Sequence, residues 1–223
     1  MNKPGQVVAG DLRDAMRRYS DALASHREAI NRLNVYPVPD GDTGTNMALT
    51  VSSVVSALDE LGAGEEPGMG ATCKAIMHGA LMGARGNSGL IVSQILRGLA
   101  ETFVSLEAAG PKDLATGLAR GAESARQAVT RPVEGTILTV SRSSGAAAGE
   151  AAGAGGSMEE VLDRARVAGA EALARTPEQL PALAQAGVVD AGGAGYLLLL
   201  DAFLAVAAGR PLPEPPETEE AGA

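Results

Sequence analysis

Leu12, Met16, Tyr19, Leu23, His26, Ile30 and Leu33 step along the chain by four, three, four, three, four and three residues. That spacing lays one apolar stripe along an amphipathic helix of about six turns. Met47, Val51, Val54, Val55, Leu58 and Leu61 repeat the pattern. No stretch alternates with the period of two that a half-buried strand requires. Aromatic residues are 2% of the chain and Trp is absent, so Ala, Leu, Val, Ile and Met must build the core. Glycine, at 29 of 223 residues, is about twice its ordinary frequency and marks close backbone approaches and tight turns. The reading is an all-α fold of about eight amphipathic helices, with short connections that make neighbours antiparallel.

Helix signals divide the chain further. Asp11 is expected to N-cap the first helix. A second is expected to open at Thr45 or Asn46 and close near Gly62, a third to cover 71–82 and a fourth 90–106. Gly110-Pro111-Lys112-Asp113 opens a fifth helix, and a sixth begins near Gly135. Ser157 and Glu160 form a capping box for a seventh. Thr176-Pro177-Glu178-Gln179 starts a short helix that should reach Ala186. A last helix ends at Gly209. Residues 1–208 thus read as one domain, and 209–223 as a disordered Pro/Glu-rich linker or tail.

The net charge of −9 falls to about −5 once Glu214, Glu217, Glu219 and Glu220 of the tail are set aside. An acidic body offers no electrostatic footprint for nucleic acid. The single cysteine, Cys73, cannot form an internal disulfide, which fits a reducing compartment. No apolar signal segment follows the first residues, and no run of about 18 apolar residues suggests a membrane span. A soluble cytoplasmic protein is expected.

Four glycine-rich corners, 39–46, 83–89, 134–136 and 190–195, each precede a helix start, where free N–H groups attract anions. In an up-and-down bundle the first, second and fourth converge if an even number of helices separates them. Asp40-Gly41-Asp42-Thr43-Gly44 sets two hard oxygen donors two residues apart in a loop stiffened by Pro37 and Pro39, a pattern suited to Mg²⁺ or Ca²⁺. Thr43, Thr45 and Asn46 follow at a helix start, where a phosphate would sit. An ordinary capped turn uses the same residue types, but the flanking prolines and the Thr/Asn-rich start favour metal plus phosphate. An EF-hand loop from Asp40 would need Glu where Val51 stands. No Gly-Lys-Ser/Thr P-loop exists.

In the second corner, Arg85, Asn87 and Ser88 either supply phosphate donors and a neutralising cation, or form a plain cap beside a solvated arginine. Ser88 is no nucleophile elbow, because Leu90 stands where glycine is needed. His26 lies on an apolar stripe and reads as a packed residue. With only His26 and His78, a Ser-His-Asp site or a zinc site lacks ligands. Cys73 reads as a small buried residue.

"LNVYPVPDGDTGTNM", "GARGNSGLIVSQILRG", "EGTIL" and "AGVVDAGGAGYLLLLDAF", in that order, resemble the nucleotide-binding domain of bacterial fatty acid kinase. That domain is similar to the ATP-binding DhaL subunit of dihydroxyacetone kinase. The resemblance runs from about Asp11 to Gly209. It implies a closed barrel of eight antiparallel helices with ADP or ATP and two Mg²⁺ ions at one end. Asp40 and Asp42 match two family metal ligands. A third family aspartate falls at Val35, and Asn34 beside it is the expected substitute oxygen. Phosphate contacts map to Thr43, Gly44, Thr45 and Asn46 and to Asn87 and Ser88. From the second corner itself, Gly89 is a further expected nucleotide contact and Arg85 the expected catalytic cation. Adenine and ribose contacts map to Thr136, Asp190, Gly192 and Gly193. The implied reaction phosphorylates the carboxylate of a fatty acid presented by a separate carrier protein. A homodimer is a further expectation. Two alternatives remain: a dihydroxyacetone-type kinase subunit, which usually carries His where Thr43 stands, and a nucleotide-binding regulatory module without turnover.

Overall fold

The computed structural model describes residues 5–61 and 67–216. Eight long helices and two short ones lie among them. They are α1 (Ala9–Arg32), α2 (Thr43–Glu60), α3 (Met69–Gly83), α4 (Gly86–Phe103), α5 (Pro111–Ala128), α6 (Ile137–Gly153), α7 (Met158–Ala174), α8 (Thr176–Gln179), α9 (Pro181–Ala186) and α10 (Ala191–Ala208). Among the described residues the only strand-like feature is one bridge, in which Val7 and Ala109 exchange backbone hydrogen bonds at 2.9 and 2.8 Å.

From α1 to α7 each helix packs on its successor. Then α10 packs on α7 and on α1, so the circuit of neighbours returns to its start. The all-α barrel expected from the sequence is thus observed. Short connections run neighbours in opposite directions. The starts of α2, α4, α6 and α10 therefore gather at one pole.

Tyr19, Phe103, Tyr196 and Phe203 are fully buried, leaving Tyr36 as the one aromatic outside the core. Elsewhere helices meet with little between them. A Cβ on Gly98 of α4 would lie 2.5 Å from the backbone N of Gly121 on α5. A Cβ on Gly121 would lie 2.7 Å from the Ile95 carbonyl oxygen. The glycine excess is spent in part on this close crossing.

α10 is apolar around most of its circumference, its one charged residue being Asp201, which pairs with Arg166 at 2.7 Å. Its mean hydropathy of 1.7 over 18 residues is high enough for a membrane span, yet 72% of it is buried inside the molecule. Contact with α1, α2, α6 and α7 explains that composition, since a helix surrounded by neighbours has no wet face to make polar.

Several boundaries differ from the sequence reading. Asp11 is not the N-cap of α1. It lies in the first turn and accepts the Val8 N–H at 3.0 Å. α4 begins at Gly86 rather than near Leu90, so Asn87 and Ser88 are inside its first turn. The expected short helix after Thr176 is two pieces, because Pro181 cannot continue the first and Leu180 turns extended. The capping box of α7 forms as expected, with Ser157 N donating to Glu160 Oε2 at 2.7 Å and Glu160 N donating to Ser157 Oγ at 3.2 Å.

The expected end of the second helix at Gly62 falls outside the described residues, and α2 closes at Glu60. The tail is anchored at its beginning. Arg210 pairs with Asp163 at 2.6 Å and Glu159 at 3.0 Å, and Leu212 packs on the core. Residues 217–223 of the expected linker lie outside the described residues.

Candidate nucleotide site

A cavity of about 690 Å³ opens at the pole where α2, α4, α6 and α10 begin. All four glycine-rich corners reach it, including 134–136, which the helix-parity argument had left out. Asp40, Asp42, Thr43 and Asn46 come from the first corner, Asn87 and Ser88 from the second, Thr136 from the third, and Asp190 and Gly192 from the fourth.

The first corner is held by asparagine side chains of α1 and of the loop after it. Asn34 is buried and lines the cavity. Its Oδ1 accepts the Thr43 N–H at 3.1 Å and also the Thr43 hydroxyl, and its Nδ2 donates to the Val38 carbonyl at 2.6 Å. Asn31 Oδ1 accepts the Thr45 N–H at 3.1 Å, while its Nδ2 donates to Thr45 Oγ1 at 3.1 Å. Gly44 seats this turn against α1, where a Cβ would lie 2.3 Å from the Arg27 carbonyl oxygen. The Tyr36–Pro37 peptide bond is cis.

Asp42 occupies the N-cap position of α2, yet its carboxylate makes no capping bond. Asp40 is exposed. Neither has a hydrogen-bond or ion-pair partner among the described residues. Two carboxylates facing a cavity without protein partners suit a hard divalent cation. Among the described residues no three His, Cys, Asp or Glu side chains are grouped so that they could hold a metal ion by themselves. A metal here would therefore complete its oxygen shell from phosphate and water, as Mg²⁺ commonly does. Asn34, expected as a third ligand, has its oxygen already engaged by both donors of Thr43. Its place in the structure is that of a clamp on the corner.

α2 and α4 have no side-chain cap. In α2 the first N–H groups go to Asn34 and Asn31. In the first turn of α4, Gly86, Asn87 and Ser88 lie too early for bonds within the helix. Gly86 has φ +56, and a Cβ there would sit 2.4 Å from Asn46 Nδ2, so both conformation and space select glycine. Ser88 Oγ lies 3.5 Å from the Thr43 carbonyl oxygen. Thr50 of α2 holds the two corners together, its hydroxyl donating to the Asn46 carbonyl at 2.7 Å and accepting the Arg85 N–H at 3.3 Å.

The starts of α6 and α10, by contrast, are capped. Thr136 Oγ1 accepts the Leu138 N–H at 3.4 Å, and Asp190 Oδ2 accepts the Gly193 N–H at 2.7 Å. Asp190 is buried, and its own N–H donates to Thr176 Oγ1 at 3.1 Å. Burial pushes its carboxyl up to about 6, and backbone N–H bonds from Gly193 and Ile137 oppose that rise. The cavity therefore has an uncapped side at α4, where free N–H groups suit phosphate oxygens, and a capped side at α6 and α10.

Five predicted residues do not line the cavity: Gly44, Thr45, Arg85, Gly89 and Gly193. Arg85 stands outside the cavity lining. Its Nη1 donates to the Met82 and Ala84 carbonyls at 3.2 and 3.1 Å, which satisfies the end of α3 instead of the cavity. Gly89 packs on Thr50, Gly193 packs on Val140 and Leu173, and Thr45 faces Asn31. His26 is buried, with Nδ1 2.9 Å from the Ala22 carbonyl oxygen, and stands away from the cavity. Burial pushes the Cys73 thiol up to about 12, so it is inert as a nucleophile.

Sequence reasoning passed over Tyr36 and Arg131, which both line the cavity. Arg131 sits in the loop between α5 and α6, just before Pro132, where no helical pattern drew notice.

Residues 37–205 match the family model described as the DAK2 domain. The chain belongs to the DAK2 domain family. This places it with the nucleotide-binding, DhaL-like subunits of the dihydroxyacetone kinase family, which bind ADP or ATP. The chain is also 42% identical over 182 residues to uncharacterized proteins of Staphylococcus aureus strains bovine RF122 and USA300. Those alignments cover 82% of this chain and 33% of each relative. The chain thus spans about a third of the length of the curated relatives it matches. The matched segment begins at Pro37 and so takes in all four corners of the cavity.

Proposed function

We propose that the domain binds Mg·ATP at this cavity and transfers the γ-phosphoryl group to the carboxylate of a fatty acid presented by a separate carrier protein, giving an acyl phosphate. One observation carries this reading. Asp40 and Asp42, both without protein partners among the described residues, share a single cavity with the uncapped first turn of α4.

Phosphoryl transfer depends mainly on positioning and charge neutralisation. Magnesium held by Asp40 and Asp42 would supply the neutralisation of phosphate oxygens. The chain's own part is to hold those carboxylates at a fixed spacing through Asn34 and Asn31, and to offer N–H and hydroxyl donors at Asn87 and Ser88. Thr136 and Gly192 would border the nucleoside. A carboxylate oxygen of the acceptor forms the new bond to the γ-phosphorus as the bond to the β-phosphate oxygen breaks and ADP leaves.

The described lining residues include no histidine, and Asp190 is committed to the Gly193 N–H. A carboxylate acceptor is already ionised near neutral pH and asks for no base, whereas a hydroxyl acceptor asks for one. This favours the acyl reading over phosphorylation of dihydroxyacetone, as does Thr43 at the position where the DhaL branch usually carries His. We also propose a cytoplasmic location, where ATP is supplied.

The test measures ADP release with carrier-bound fatty acid, with carrier-bound dihydroxyacetone and with neither. Release with the first alone supports the acyl kinase. Release with the second alone supports the dihydroxyacetone subunit. Mg·ATP binding without release in any arm indicates a regulatory module.

A further inference from the structure

We propose that Arg131 is the side chain that meets the polyphosphate of the bound nucleotide, in the role the sequence suggested for Arg85. The inference rests on the Mg·ATP reading above and adds a residue to it.

Charge balance motivates the search for a cation. Fully ionised ATP brings four negative charges, and Asp40 and Asp42 bring two more. Two magnesium ions offset four of these six, so the occupied cavity stays anionic unless the protein supplies positive charge. Desolvated anions of like sign placed together are costly.

Arg131 is the only Lys or Arg among the described residues that line the cavity. Its guanidinium has no hydrogen-bond or ion-pair partner among the described residues. The acid nearest it in sequence, Glu134, is taken: Arg142 binds both of its carboxylate oxygens at 2.8 and 2.7 Å, and the Thr139 hydroxyl donates at 2.6 Å. These bonds hold the Glu134 carboxyl below the usual carboxylate range, so it stays ionised and satisfied. Arg85 is excluded by its bonds to the Met82 and Ala84 carbonyls. An arginine presents several N–H donors in a planar fork suited to phosphate.

Arg131 lies on an irregular segment, residues 129–136, between α5 and the Thr136 cap of α6.

The experiment is calorimetric titration of this chain with Mg·ATP, Mg·ADP and adenosine, comparing wild type with R131Q, R131K and R85Q, with thermal unfolding of each ligand-free protein. The expected result is a rise of about tenfold in Kd for both nucleotides in R131Q, the scale of one lost charge-assisted hydrogen bond. R131K should recover part of the loss. R85Q, adenosine affinity and ligand-free melting temperature should stay near wild type. Wild-type nucleotide affinity in R131Q overturns the assignment while leaving the Mg·ATP reading intact. An equal loss for adenosine also overturns it, since that marks a deformed cavity. If the wild-type chain binds neither nucleotide with magnesium present, the Mg·ATP reading fails, and this inference with it.

Discussion

Asn34 grips Thr43 twice, its Oδ1 accepting both the backbone N–H at 3.1 Å and the hydroxyl, while its own amide donates to the Val38 carbonyl at 2.6 Å. One buried side chain thereby closes the loop that carries Asp40 and Asp42. Replacement by Asp separates a clamp from a metal ligand. A ligand would bind Mg²⁺ more tightly as Asn34→Asp. A clamp would lose its donor to Val38 and face that carbonyl with a charge. We expect Asn34→Asp to destabilise the fold by about 1–3 kcal/mol and to weaken Mg·ATP binding. Denaturant unfolding together with calorimetry checks both, and tighter Mg²⁺ binding would restore Asn34 as a ligand.

Asp40→Asn and Asp42→Asn should abolish Mg²⁺-dependent ATP binding with little change in stability. Neither carboxylate supports the fold through a protein partner among the described residues. Surface changes without such partners usually shift stability by no more than about 0.5 kcal/mol. Unchanged Mg·ATP affinity in either variant would sink the metal assignment.

Ser88→Ala tests the start of α4. Ser88 lies inside the first turn and does not occupy the N-cap position, and its hydroxyl is a marginal 3.5 Å from the Thr43 carbonyl oxygen. Stability should therefore change by less than the ~1 kcal/mol of a lost N-cap. Nucleotide affinity should drop several-fold. A drop in melting temperature with unaltered affinity would reduce Ser88 to a structural residue.

Asp190 should give stability a pH dependence opposite to the usual carboxylate. Burial raises its folded-state value from 3.8 to about 6. Between those values the folded protein holds a proton that the unfolded chain has lost. The favourable contribution is complete below about pH 4 and is lost as pH rises through about 6, with an amplitude of up to about 3 kcal/mol. Asp190→Asn keeps an acceptor for the Gly193 N–H and removes the titration. The difference in unfolding free energy between this variant and wild type should grow in favour of the variant from pH 4 to pH 7. A constant difference would show that the carboxyl titrates normally.

Periodicity exposed the helices because α1 to α7 each bury one face, and a one-sided stripe survives in sequence. α10 has no polar stripe, yet the glycine-rich corner at 190–195 and Gly209, which ends the helix at φ +68, still framed it. The acid corner was legible because Asp40, Asp42 and Asn46 are adjacent in sequence, so no knowledge of distant packing was needed to group them. Arg85 was grouped with the site for the same local reason. It stands beside Asn87 and Ser88, but which way a side chain points at a helix junction depends on the neighbouring carbonyls, here those ending α3. Arg131 was invisible because its relation to Asp40 exists only through the closure of the barrel. Asn34 was found through the resemblance, but its hydrogen-bond partners emerged only from the three-dimensional arrangement.

The meeting of α4 and α5 at Gly98 and Gly121 leaves no side chain to adjust there. Spacing in that part of the wall is set by peptide against peptide, which cannot be tuned by exchanging one aliphatic residue for another. Drift in ligand preference among descendants of this sequence should accordingly accumulate in the four polar loops, while the glycine crossing stays frozen.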